Sequence, residues 1–157
     1  MDLVTYYRAM KNPPTYDDAN LVLKIYDLRR ETELRKARKW FGTQPAFQTR
    51  EEFLKVCPAG SDENAYFRMV TSYWDMAASF IVTGVLNREL FYRANNTEML
   101  FIWEKVRRIA PAMREANKNP FFWTHLEQVA TDFIAFLDQH APEFFAQLQA
   151  NVAKIVR

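Results

Sequence analysis

Residues 61–84, SDENAYFRMVTSYWDMAASFIVTG, constrain the fold more than any other part of this chain. Phe67, Val70, Trp74, Ala77 and Ile81 recur at the spacing of a 3.6-residue helix. Tyr66, Met69, Tyr73 and Phe80 widen the apolar face until it covers most of the circumference. A helix of this kind has to be surrounded by others. One polar stripe remains, formed by Arg68, Ser72, Asp75, Ser79 and Thr83. It places a carboxylate midway along an element predicted to be buried.

The flanking segments carry the same period. Residues 2–11 predict a short helix capped by Asp2, and Asn12, Pro13 and Pro14 end it, so 1–14 reads as an arm. Residues 15–31 predict a helix with Thr15 and Asp18 at its start. Its inner face is Leu21, Ile25 and Leu28, flanked by Val22 and Tyr26. Residues 32–41 predict a second, burying Leu34, Ala37 and Phe41, with Gly42 in the left-handed position after it. Thr49 and Glu52 fit a capping box that opens a short helix carrying Phe53, Leu54 and Val56. Asn87 caps another short helix through Phe91 and Tyr92.

Residues 97–117 predict a long helix that Pro111 kinks, or divides near Ala110. Asn119 as N-cap and Pro120 at the first helical position then start a helix with Phe122, Leu126, Val129, Phe133 and Leu137 as its stripe. The last helix, 142–156, presents Phe144, Leu148, Val152 and Ile155. No segment sustains a period of two, no repeat is present, and the three glycines are too few for many hairpins. The reading is all-α: one helical bundle over 1–157, with about four long helices, several short ones, and 61–84 as its central helix.

Several function classes are excluded or disfavoured. A net charge of +2 does not call for a polyanionic partner. The lone Cys57 excludes an intrachain disulfide and any cysteine metal cluster. A di-metal bundle needs Glu-x-x-His, but Phe122 and Leu137 stand three residues before His125 and His140. Neither a metal nor another cofactor is expected. His125 reads as a helix-surface histidine, and His140 as one at a helix C-terminus. The longest apolar run, 99–103, is too short to cross a membrane, and MDLVTYYRAMK lacks a signal-peptide core. The cytoplasm is the expected compartment, with peripheral membrane attachment left open.

Two constellations remain as candidate sites. Asp75 is expected to pair with an arginine, the candidates being Arg68, Arg107, Arg108 and Arg114, because an unpartnered buried carboxylate is costly. The same groups could instead line a polar pocket of an enzyme or small-ligand binder. The second constellation is a basic patch over 29–39, in which Arg35, Lys36 and Lys39 would face phosphates or anionic lipid. Against it stands a solvated face with pairing such as Glu31 with Arg35. Nucleic acid is not favoured, since no recognised binding motif accompanies the patch. Phe121, Phe122 and Trp123 span too much of a turn to face one way, so one or two of them should be exposed or meet a partner.

Glu33 to Trp40 (ELRKARKW), the central acid Asp75, the Gly84-Val85-Leu86 turn, Trp103-Glu104 and the stretch from Asn119-Pro120 to Glu127 resemble an uncharacterised bacterial all-helical family, a domain of unknown function. The resemblance covers roughly residues 21–136. It implies a helical fold and lends no activity. Members of that family often carry a membrane-spanning segment ahead of the domain, whereas this chain begins with a short polar arm. Taken together, the expectation is a non-enzymatic protein–protein interaction or regulatory domain, with a protein partner or a second copy of the chain.

Overall fold

Capping chemistry within three or four residues sets most of the helix starts in the computed structural model, which describes residues 2–156. Met1 and Arg157, the ends of the expected 1–157 unit, lie outside the described residues. Asp2 accepts from the Thr5 N–H and opens α1 (Leu3–Arg8). Thr15 and Asp18 form a reciprocal capping box at α2 (Tyr16–Arg29). Glu31 accepts from the Leu34 N–H and starts α3 (Thr32–Thr43). Thr49 starts α4 (Arg50–Val56), and Ser61 starts α5 (Asp62–Val82). Asn87 starts α6 (Arg88–Arg93). Then follow α7 (Glu98–Val106), α8 (Ala110–Ala116), α9 (Thr124–His140) and α10 (Phe144–Ala153). Among the described residues there is no strand, and the fold is all-α.

The 61–84 helix is the axis. α5 packs most extensively against α3 on one side and α9 on the other; α7 and α10 pack on α9 and on each other. Phe67 is a hub for rings from both sides, with centroids of Phe53, Phe47, Trp123 and Phe41 at 4.6, 5.4, 5.7 and 5.8 Å. One helical stretch further along α5, Trp74 meets Phe91, which leads to Phe133 and the Tyr92 ring stacked on it at 4.3 Å. Each aromatic pair adds about 0.5–1.5 kcal/mol beyond area burial, so rings rather than aliphatics dominate this core.

Several expectations are corrected. Gly42 lies inside α3 and has no left-handed backbone; Gln44 ends the helix instead. Leu28 and Tyr26 are exposed, and the buried line of α2 is Asp18, Ile25 and Arg29. Pro111 does divide its helix. It lacks an N–H and crowds the carbonyl four residues back, so α7 stops at Val106 and α8 restarts at Ala110. Asn119 does not cap α9. Its Oδ1 accepts from the Phe121 N–H and closes a turn, and the helix begins after Trp123. Trp123 is left-handed, with φ 58°, and has no capping side chain of its own. It is buried where Phe122 is half-buried and Phe121 exposed. Phe144 is exposed, while Leu148 and Val152 keep the inward positions of α10.

Candidate functional site

Asp75 is half-buried, and its partner is not an arginine. Its Oδ1 accepts from the Leu126 N–H at 3.0 Å, and Oδ2 lies 3.8 Å from His125 Nδ1. Leu126 is the third residue of α9, so its N–H is one of the donors a helix leaves unpaired at its start. Because Trp123 offers no oxygen there, α5 supplies the cap from across the interface. The carboxylate also sits at the positive end of a helix dipole.

Three of the four arginines proposed for Asp75 are employed elsewhere. Arg107 makes a two-pronged pair with Glu104, both contacts at 3.0 Å. Arg114 holds the Phe122 carbonyl at 2.8 Å and pairs with Glu127, bracing the left-handed turn before α9. Arg108 bonds Gln48. Arg68 is exposed and borders a hollow of about 600 Å³ with Met69, Phe122 and Trp123. These four do not converge on Asp75.

The basic patch is also partly consumed. Lys36 pairs with Glu33 at 2.7 Å, and Arg35 donates to the Arg30 carbonyl at 2.9 Å rather than pairing with Glu31. Arg38 pairs with Glu98 and holds the Arg29 carbonyl. Lys39 stays exposed beside them, lining a hollow of about 360 Å³ with Arg35 and Arg38.

Lys105 escaped the sequence reading altogether. It is fully buried, and its Nζ donates to the carbonyls of Phe41 and Gly42 at 2.9 and 3.0 Å. These are among the last carbonyls of α3, so Lys105 closes the end that Gly42 was expected to close. Its Nζ also lies 4.2 Å from the Phe101 ring centroid. Burial pushes the ammonium down to about 7. The signal for it was a lysine at helical spacing from Phe101, Ile102 and Ile109, but its acceptors come from residues more than sixty positions away.

A surface feature was also missed. Tyr16, Ala19, Leu23 and Tyr26 follow one another at i, i+3, i+7 and i+10 along α2, and all four are exposed. The three large side chains are 80%, 61% and 51% accessible. α2 is therefore apolar on both faces, with Leu21, Val22 and Ile25 against the core. The guanidinium groups of Arg29 and Arg30 lie 5.5 and 5.8 Å from the Tyr26 ring and hold it in place. The doubled pattern was visible in the sequence, but it looked like one broad inner face.

Among the described residues no group of three or more His, Cys, Asp or Glu side chains is placed to hold a metal ion. Nor, among them, is any helix long and apolar enough to cross a membrane. The family described as a domain of unknown function (DUF4760) matches residues 14–133, from just before the α2 cap into α9. No curated protein and no solved structure matches the chain.

Proposed function

Because this chain belongs to the DUF4760 domain family, whose function is unknown, we propose from its geometry that it is a non-enzymatic protein-interaction domain. The observation that carries this reading is the exposed apolar line Tyr16–Ala19–Leu23–Tyr26 on α2. A helix apolar on its outer face as well as its inner one is suited to lie between two layers. Aromatic side chains held in place by neighbouring groups are the usual anchors of an interface, because little entropy is lost when they dock. Catalysis around Asp75 has less support, since that carboxylate caps α9.

The line is self-complementary. In an antiparallel pair centred near Leu21, small Ala19 faces Leu23 of the second copy, and Tyr16 faces Tyr26. That is the arrangement a two-fold interface requires. The reading is therefore a homotypic contact through α2, in a domain acting in the cytoplasm, which its single cysteine suits. Light scattering during size exclusion over a range of concentrations tests it. A concentration-dependent dimer is expected, and a strict monomer at the highest concentration removes the homotypic contact.

A further inference from the structure

Alongside α6, from its first residues Arg88 and Glu89 to Tyr92, lies a hollow of about 360 Å³, lined by residues of α1, α6 and α9. Tyr92 forms part of its wall. The ring is 6% exposed and stacks on Phe133, and its hydroxyl is buried with no hydrogen-bond partner among the described residues. A buried hydroxyl without a partner costs about 1–3 kcal/mol, so it marks a place where something else completes the bond. The charges nearest in effect to that hydroxyl are Asp132 and Arg88, which also line the hollow. Burial, followed by the Asp132 carboxylate, pushes the phenol up to about 12, and Arg88 acts in the other direction.

The two charges are not spent on each other. Among the described residues Arg88 makes no ion pair, and Asp132 bonds only the Gln128 amide one turn back on its own helix, at 3.1 Å. Glu89, by contrast, is used: it pairs with Arg93 at 3.1 Å and accepts the Tyr6 hydroxyl. Arg93 in turn lies 5.1 Å from the Tyr6 ring and 5.1 Å from the Phe136 ring. This fastens the N-terminal arm down as one wall of the hollow. His140 stands on the rim, stacked on Phe136 with Nδ1 on the Phe136 carbonyl, so its other nitrogen is available.

We infer that this hollow binds a small zwitterion of the free α-amino-acid class, with its carboxylate on Arg88, its ammonium on Asp132 and one oxygen on the Tyr92 hydroxyl. A hollow of this size is at the lower end for small-molecule sites. One unspent cation, one unspent carboxylate and one unspent hydroxyl match a molecule carrying both charges better than an amine or an acid alone. The site is separate from the α2 surface and does not rest on the interaction reading.

Titration calorimetry and thermal shift with millimolar glycine, alanine, serine, glutamate and lysine test the inference, with the matching amines and carboxylic acids as controls. At least one amino acid should bind and raise the unfolding midpoint, and its single-charge analogues should not. Arg88→Gln and Asp132→Asn should each weaken binding roughly tenfold or more, the loss of a charge-assisted bond. Tyr92→Phe should weaken binding severalfold while leaving the ligand-free midpoint unchanged or higher. Three results overturn the proposal: no zwitterion binds, an amine or acid binds equally well, or Tyr92→Phe lowers the ligand-free midpoint.

Discussion

Asp75 Oδ1 accepts from the Leu126 N–H at 3.0 Å, so the start of α9 is fixed by a side chain of α5. Asp75→Ala should therefore behave as the loss of an N-cap and cost about 0.5–2 kcal/mol in urea unfolding. Asp75→Asn keeps an acceptor oxygen and should cost less. Equal losses for the two variants would mean that the charge facing His125, and not the cap, is what matters.

Lys105 makes stability depend on pH in the opposite sense from a surface lysine. Its folded value lies at about 7, against 10.5 for an ordinary lysine, so between these limits the unfolded chain binds more protons than the native one. Stability should rise with pH across that window and fall as pH drops toward 7. Above pH 10 the buried phenols Tyr73 and Tyr92, both pushed up by burial, reverse the trend. Lys105→Met leaves the Gly42 carbonyl without its lysine donor and the Phe41 carbonyl with the Gln44 N–H alone, and should cost about 1–3 kcal/mol at pH 9. The deficit should shrink by roughly 2 kcal/mol by pH 7, because the variant lacks the titration. Parallel melts of the two proteins at each pH would contradict this.

Asp18 sets the acid limb. Burial works to raise its carboxyl, but the N–H groups of Thr15 and Asn87 and the Thr15 hydroxyl hold it below the ordinary 3.8. A depressed carboxyl contributes stability above its unfolded value, and that contribution disappears as pH falls through its folded one. Asp18→Ala should be clearly less stable than the parent at pH 7. The gap should narrow below about pH 4. A gap independent of pH would assign the effect to packing alone.

Leu23→Glu and Tyr26→Glu should prevent self-association without changing the fold. Both positions are exposed, so the expected change in monomer stability is within about 0.5 kcal/mol. Phe121→Ser, equally exposed but on the turn before α9, serves as the control and should leave association intact. If all three variants associate like the parent, the contact does not use α2.

How far the sequence could be read follows from the reach of each interaction. Thr15, Thr49, Ser61 and Asn87 each cap a helix through donors three residues on, and each start was legible. The start of α9 and the end of α3 were not, because Asp75 lies 51 residues from Leu126, and Lys105 lies 64 from Phe41. The inner face of α2 was misread for a related reason. Asp18 and Arg29 go inward because Asn87 and the Trp74 face meet them there, which frees Leu28 to face water. Asp75 stands out by its position in α5, but its partner is a backbone N–H, which carries no side-chain signature in the sequence. Tyr92 gave no sign at all, since a tyrosine in an apolar stripe reads the same whether or not its hydroxyl is met.

The two borrowed caps have a joint effect on how the molecule comes apart. α3 packs on α5, α5 on α9 and α9 on α7, while Lys105 ties α7 back to the end of α3. The contacts close into a circuit, in which loss of α5 uncaps α9 and loss of α7 uncaps α3. Amide protons in these four helices should accordingly exchange with one common free energy, and the arm and α10, outside the circuit, should open first.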